Sequence, residues 1–331
     1  MNNLEGINQL RAASVLFVFL FHSDILHAGF IGVDIFFVIS GFLIGSSIQR
    51  LKNKEPSSLK IFYKRRILRL FPALIAVIII TLIVNFIVVN DQSRLFLNRS
   101  AIAALLFSSN IYDSIFSDYF ATSSAYNPYS HLWSLGIEEQ FYIVIAPIMI
   151  FLRKNKSLLI AMMSISMLLF IFSTQDTSVL YFFPIYRIWE LFAGVILSIF
   201  IFDKQFTANK NKLLANNFII LLLILISMFG FQPEFIIFWK IQTLLVVSLS
   251  IIFILNCPYK IGFFSLNQMA IWIGNLSYGM YLIHLPIIVY LRWIFGYLDI
   301  YMIILSLILS LVLSHLMYKY LESIFWKPSK L

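Results

Sequence analysis

Long apolar runs recur from one end of the chain to the other and set its fold class. A helix of about twenty apolar residues crosses a bilayer, and residues 70–89, 213–229 and 300–316 are runs of this kind. The pattern predicts an all-α fold, a polytopic membrane helix bundle with about ten transmembrane helices. The predicted spans cover residues 10–26, 30–48, 68–89, 132–152, 158–172, 180–202, 213–229, 235–255, 273–295 and 300–320.

The polar stretches between these runs are too short to form a second core. The longest lie around residues 49–66 and 112–130, and a stretch of about twenty residues buries too little apolar surface to fold alone. We therefore expect a single membrane-embedded domain over residues 1–331, with no appended soluble domain. A weaker apolar stretch at 101–110 is too short to cross a bilayer and is typical of a re-entrant or interfacial helix.

Composition agrees with this fold class, and charge gives it an orientation. The chain is 61% hydrophobic and 12% charged, whereas a soluble domain carries about 25% charged residues. With the N-terminus inside and ten spans, 19 of the 24 basic residues fall on the cytoplasmic side, as the positive-inside rule requires. The net charge of +9 therefore indicates membrane orientation rather than nucleic-acid binding, and both termini are expected to be cytoplasmic.

The first predicted span carries two ionisable residues on one face. Arg11 and His22 are eleven residues apart, which is three helical turns and about 16 Å. Ionisable residues within a span often mark function. A lipid-headgroup anchor at Arg11 and an interhelical hydrogen bond at His22 explain the same pattern.

Acidic residues stand near the outer ends of two other spans. Asp34 opens the second span, where a carboxylate either orients a histidine or caps a helix. Ser134, Glu138 and Tyr142 follow one face of the fourth span at intervals of four residues, and Glu139 lies on the neighbouring face. Their shared depth with His22 favours a site over isolated headgroup contacts.

The third span begins with a basic cluster at its cytoplasmic end. Arg66 and Arg69 share a helix face there. Such a cluster orients a membrane protein, and it also suits a phosphate-bearing cytosolic ligand.

Three further candidate functional residues lie within predicted spans, and the chain has a single cysteine. Arg187 and Glu190 are three residues apart in the sixth span and predict an intramembrane ion pair with a structural role. His284, in the ninth span, fits a packed, hydrogen-bonded histidine better than an active one. The single cysteine, Cys257, excludes an internal disulfide framework, and no metal-ligand spacing is present, so we expect no metal.

Four patterns together resemble acyltransferase family 3, the membrane-bound acyltransferases that include bacterial surface-polysaccharide O-acetyltransferases. Each pattern is weak alone, but the four occur in order within a ten-span frame, and frame and patterns cover essentially the whole chain. They are Arg11 with His22, Arg66-Ile67-Leu68-Arg69, the stretch 32–44 around Asp34, and the stretch 131–142 with Ser134, Glu138 and Tyr142.

The resemblance implies an enzyme of the bacterial cytoplasmic (inner) membrane. It implies transfer of an acyl group, acetyl first of all, from cytosolic acetyl-CoA or another acyl-CoA to a hydroxyl of an extracytoplasmic glycan such as lipopolysaccharide. The expected partners are acyl-CoA, the glycan or glycolipid acceptor and membrane lipid, with no nucleic acid.

The resemblance also implies roles for individual residues. Donor phosphates bind the three arginines, and His22 acts as general base on the acceptor hydroxyl, oriented by Asp34 or Glu138. An acyl-histidine intermediate on His22 is the alternative chemistry. The expected site residues are His22, Asp34 and Glu138 for catalysis, Arg11, Arg66 and Arg69 for the donor, and Ser134, Glu139, Tyr142 and His284 in support.

Two other functions fit the same residues. A polytopic transporter or channel for a polar or anionic substrate also lines its bundle with His, Glu and Arg. A catalytically idle assembly partner is the second, and for it Arg69→Ala alters only abundance. Dependence on CoA separates a transferase from both.

Overall fold

The computed structural model describes residues 5–50, 56–89, 91–116, 126–151, 156–203, 212–256 and 265–322. Every regular element in these ranges is helical, which confirms the all-α fold. The helices are α1 (Glu5–His22), α2 (Ile31–Gln49), α3 (Pro56–Val88), α4 (Asp91–Leu105), α5 (Ser109–Phe116), α6 (Trp133–Phe151), α7 (Lys156–Phe172), α8 (Thr177–Phe182), α9 (Pro184–Asp203), α10 (Lys212–Phe229), α11 (Ile236–Asn256), α12 (Ser265–Phe295) and α13 (Ile300–Met317). A 3-10 turn, Ser130–Leu132, precedes α6, and a π-helical turn, Tyr318–Glu322, follows α13.

Six helical segments within these ranges are long and apolar enough to cross a membrane. Two shorter helices, Lys156–Phe172 and Ala215–Phe229, are also apolar. The membrane bundle is thus supported, while the number of ten spans stays a prediction. Cys257 and residues 117–125 of the polar stretch before α6 lie outside the described residues. The six segments are Ile31–Gln49, Leu59–Val88, Thr177–Ile201, Ile236–Asn256, Gln268–Phe295 and Ile300–Glu322.

The chain divides into two compact units. The first unit consists of Met1–Leu59 and Phe141–Asn275, and the second of Lys60–Gln140 and Leu276–Leu331. The first therefore holds α1, α2, α7 to α11, most of α6 and the beginning of α12. The second holds most of α3, then α4, α5, the first turns of α6, the rest of α12, and α13.

In the first unit, α2 packs against α9 with backbone close to backbone. A Cβ atom on Gly41 would lie 1.9 Å from the carbonyl oxygen of Leu191, and one on Gly194 would lie 2.1 Å from that of Val38. Only glycine permits this approach, as is common where membrane helices pack. Neighbouring helices enclose α2, and 72% of its most apolar stretch is buried. Burial on all sides suits a helix that is apolar all round.

The predicted span 180–202 is interrupted in the structure. Phe183 has an extended backbone between α8 and α9, since Pro184 follows it and a residue before proline avoids the helical region. The break makes Pro184 the first residue of α9. It places Arg187 in the first turn of that helix.

In the second unit, α3 and α12 run side by side in the same direction. The hydroxyl of Tyr278 donates to the carbonyl oxygen of Leu70 at 2.8 Å, and that of Tyr290 donates to the carbonyl oxygen of Thr81 at 2.7 Å. Contacts eleven residues apart on α3 thus match contacts twelve residues apart on α12. Positions at equal distances from these two hydrogen bonds therefore lie at the same height on α3 and α12.

Candidate functional site

A buried ion cluster in the first unit joins α2 to α9. Arg187 donates through Nη2 to Asp34 Oδ1 and through Nε to Glu190 Oε1, the latter at 2.8 Å. We call these three residues the carboxylate–arginine cluster. The predicted ion pair of Arg187 with Glu190 is therefore confirmed, and the participation of Asp34 is a finding of the tertiary structure.

Aromatic rings surround the guanidinium of this cluster. The Arg187 Cζ atom lies 5.0 Å from the ring centre of Tyr181, 5.6 Å from that of Phe37 and 5.9 Å from that of Trp239. All three charged side chains are buried, with no more than 1% exposed. Such a dry environment makes each charge depend strongly on its partner.

The carboxylate–arginine cluster also has one carboxylate oxygen on each acidic residue that can accept a further hydrogen bond. Asp34 Oδ2 and Glu190 Oε2 are buried and have no hydrogen-bond partner among the described residues. One guanidinium thus faces two carboxyl groups. The Oδ2 atom of Asp34 can therefore accept a hydrogen bond from a further donor.

The first helix places Arg11 and His22 in the same unit as Asp34. Gly32, two residues before Asp34, packs against the carbonyl of Ser14 and the side chain of Val18. His22 lies four residues beyond Val18, which is about 6 Å along α1. The side chain that the structure shows on Asp34 is Arg187, and orientation of His22 by Asp34 stays a prediction.

In the second unit, a salt bridge joins two of the sequence patterns. Arg66 Nε donates to Glu139 Oε1 at 3.1 Å, with 20% and 13% of the two side chains exposed. Arg69 is half-buried one turn further along α3. The Arg66–Glu139 pair therefore ties the basic end of α3 to the start of α6.

The start of α6 is also tied to α12. The Ser134 and Tyr281 hydroxyl oxygens are 2.7 Å apart, and the Tyr281 hydroxyl donates to the carbonyl oxygen of His131. The His131 and His284 ring centres lie 5.1 Å apart, edge to face. We call Ser134, Tyr281, His131 and His284 the histidine–tyrosine cluster, and all four residues are buried.

The remaining predicted residues lie on α6 itself. The helix is continuous over Trp133–Phe151, so Ser134, Glu138 and Tyr142 do follow one face. Glu138 is half-buried and Tyr142 is buried. Their predicted roles toward substrate or His22 stay predictions.

A second hydroxyl network lies further along α12. Asn85 on α3 accepts from Tyr290 at 2.9 Å and donates to the Tyr129 hydroxyl at 3.2 Å. Burial raises the pKa of Tyr129 well above its usual range, so its phenol stays neutral. The network fixes the loop that leads into His131.

Sequence reasoning missed the partners rather than the residue types. Tyr281 and His284 lie three residues apart on α12, but the contacts of Tyr281 with Ser134 and His131 join positions about 150 residues apart. No group of three or more His, Cys, Asp or Glu residues within the described ranges is arranged to hold a metal ion.

Comparisons with known proteins agree with these patterns. Residues 4–319 match the family profile of an acyltransferase domain. The chain is 32% identical to O-acetyltransferase OatA of Staphylococcus aureus, over 97% of this chain and 57% of that protein. It is 30% identical to the putative peptidoglycan O-acetyltransferase YrhL of Bacillus subtilis, over 86% of this chain and 49% of that protein.

The chain spans only about half the length of these curated relatives. Another putative O-acetyltransferase of Staphylococcus aureus is 28% identical over 99% of this chain and 60% of that protein. No solved structure matches the chain significantly.

Proposed function

Since this chain belongs to acyltransferase family 3, we propose that it is a membrane O-acetyltransferase. It takes an acetyl group from a cytosolic acyl-CoA and transfers it to a glycan hydroxyl outside the cytoplasmic membrane. The name of the Bacillus subtilis relative makes peptidoglycan the first acceptor to test. Both termini are placed on the cytoplasmic side, following the distribution of basic residues.

The Arg66–Glu139 salt bridge is the observation that carries this proposal. Two patterns separated by 73 residues in sequence meet in one pair. An arginine at the entrance of an apolar bundle suits a phosphate-bearing ligand, because its planar fork donates two parallel hydrogen bonds. Arg11, Arg66 and Arg69 are assigned to the phosphates of the donor, following the sequence patterns that carry the family resemblance.

His22 is assigned to the chemical step. As the acceptor oxygen attacks the thioester carbon, the imidazole takes the hydroxyl proton, and the carbon–sulfur bond breaks. The proton then passes to the thiolate, so the products are an O-acetyl ester, free CoA and neutral His22. Asp34 or Glu138 orients the ring. In the covalent alternative, His22 first receives the acetyl group and then passes it to the hydroxyl.

Release of free CoA tests the proposal directly. Purified protein in liposomes is given acetyl-CoA with and without peptidoglycan fragments, and free thiol and ester are both measured. We expect acceptor-dependent thiol release and an added mass of about 42 daltons per modified site, the mass of C2H2O. His22→Ala is expected to abolish both signals, whereas His27→Ala, an exposed residue near the end of α1, serves as the matched control.

The opposite result identifies another function. A protein that releases no CoA but moves an anionic solute across the liposome membrane is a transporter. Mass analysis of protein stopped during turnover separates the two chemical routes, since only the covalent route leaves an acetyl group on His22.

A further inference from the structure

The helix that carries His22 ends at that residue, and the chain turns back at once. Asp24 has φ of 59°, in the left-handed region that suits a sharp reversal. Gly29 then packs against α1, where a Cβ atom would lie 2.3 Å from the carbonyl oxygen of Phe17. The segment 23–30, which we call the α1–α2 turn, therefore packs on the last turns of α1. A contact that holds this turn also holds the end of α1.

Two hydrogen bonds join the α1–α2 turn to the helices α10 and α11. The backbone amide of Ala28 donates to the carbonyl oxygen of Ser227 on α10 at 2.9 Å. Gln232, in the connection between α10 and α11, donates through Nε2 to the carbonyl oxygen of His27. The same Nε2 atom lies 3.4 Å from Nδ1 of His27. All of these residues belong to the first unit, so the contacts lie within one body.

Gln242 on α11 holds the connection that carries Gln232. Its Oε1 atom accepts a hydrogen bond from the backbone amide of Phe231 at 2.7 Å, and its Nε2 atom donates to the carbonyl oxygen of Phe231 at 3.4 Å. Gly230 leaves room for this contact, because a Cβ atom there would lie 2.3 Å from Gln242 Oε1. Gln242 is buried. One buried side-chain amide therefore satisfies both backbone groups of the residue before Gln232.

These contacts form a continuous path from α11 to the end of α1. Gln242 fixes Phe231, the adjacent Gln232 holds His27, and His27 lies five residues beyond His22. Placement matters at the end of this path, since a displacement of about 1 Å at a reacting group lowers a rate by about a hundredfold.

We propose that Gln232 and Gln242 are positioning residues for the acetyl transfer, which together hold the end of α1 and thereby the His22 imidazole. This proposal rests on the proposed function, in which His22 takes the proton of the acceptor hydroxyl. Arg11, the donor-binding residue assigned on the same helix, lies about 16 Å from His22. Loss of either glutamine is therefore expected to slow the chemical step and to leave donor binding unchanged.

Gln232→Glu is the variant that tests this role, because it keeps the shape of the side chain and replaces the Nε2 donor by an acceptor. A carboxylate cannot donate to the carbonyl oxygen of His27. With acetyl-CoA and peptidoglycan fragments we expect kcat to fall about tenfold to a hundredfold, and KM for acetyl-CoA to stay within about twofold. Gln175→Glu, the same replacement at an exposed position between α7 and α8, is the matched control, and thermal unfolding verifies that each variant is folded.

A second variant tests whether the two glutamines act in series. Gln242→Leu removes both hydrogen bonds to Phe231 and should also lower kcat. Residues that act through one another have non-additive effects, so the double variant with Gln232→Glu should keep a kcat within about threefold of the slower single variant. Losses that multiply would show that the two residues act independently, and they would overturn the path.

Hydrogen exchange reports on the end of α1 directly, whether or not an acceptor is turned over. The amide of Ala28 is bonded to Ser227, so its exchange rate shows how firmly the α1–α2 turn is held. Gln232→Glu should speed exchange in residues 23–30 about threefold to tenfold, the size of one hydrogen bond, and leave α7 unchanged. His27→Ala keeps the carbonyl oxygen that Gln232 binds, and it should exchange like the wild type.

Three other results overturn the proposal. Unchanged kcat in Gln232→Glu would show that His22 does not depend on this contact. A rise in KM for acetyl-CoA as large as the fall in kcat would show a general loosening of the first unit. If the wild type transfers nothing from acetyl-CoA, the proposed function fails, and hydrogen exchange then decides the hold on α1: equal exchange in wild type and Gln232→Glu refutes it, and faster exchange in the variant supports it.

Discussion

At the residue scale, Arg187 is the cation that pairs with two buried carboxyl groups of the first unit. Its guanidinium bonds to both Asp34 and Glu190 in a fully buried setting. Arg187→Met leaves two carboxyl groups without their cation, and we expect a loss of about 3–5 kcal/mol in the free energy of unfolding. Denaturant unfolding of the protein in detergent measures this loss.

Neutral replacement of the whole carboxylate–arginine cluster separates charge from packing. The triple variant Arg187→Met, Asp34→Asn, Glu190→Gln is expected to recover most of the lost stability, because no unpaired charge remains. Arg99→Met, at an exposed position on α4, should change little. A triple variant as unstable as the single one would show that the ring packing around Arg187 dominates.

Arg69 gives a second prediction, which concerns phosphate recognition. Arg69→Ala should raise KM for acetyl-CoA about tenfold to a hundredfold, since one hydrogen bond to a charged group is lost. Acetyl-pantetheine, which lacks phosphates, should show no such change. Comparing KM values for the two donors tests the assignment, and an equal rise for both would refute it.

At the element scale, the contact between α2 and α9 requires glycine. The Cβ of Gly41→Ala would overlap the Leu191 carbonyl oxygen, which lies 1.9 Å from the Cβ position. The helices must move apart, and we expect a loss of about 1–3 kcal/mol. Gly279→Ala on α12 is the matched control, because its nearest atoms lie 3.3 Å away on Ser314. Melting temperatures should fall clearly for the first variant and slightly for the second.

The sequence predicts most of the helices, and the errors lie at helix ends and in the turns between helices. The apolar period predicted the helical bodies, but α1 ends at His22, earlier than predicted, and Asp24 beyond it has φ of 59°. The stretch 101–110 is divided between α4 and α5, with Phe107 at φ of 52° between them. The hydrophobic pattern does not predict such turns, because a positive φ depends on local steric and hydrogen-bonding conditions rather than on hydrophobicity.

At the scale of the whole molecule, orientation in the membrane is the main prediction. In a Cys257→Ser background, His27→Cys should react with a membrane-impermeant thiol reagent added to intact cells. Arg50→Cys, at the other end of α2, should react only after permeabilisation. Both positions are exposed. Reversed labelling would overturn the cytoplasmic N-terminus and the sidedness of donor and acceptor.

The all-α membrane class, the family and the residue types available for chemistry can be inferred from the amino-acid sequence alone. These follow from apolar run length, from charge distribution and from patterns within short windows, which are local properties. The tertiary structure alone decided that Asp34 bonds to Arg187, that Arg66 bonds to Glu139, and that Ser134 bonds to Tyr281. Each of these pairs joins side chains more than seventy residues apart, and only the packing of helices selects which buried polar groups satisfy one another.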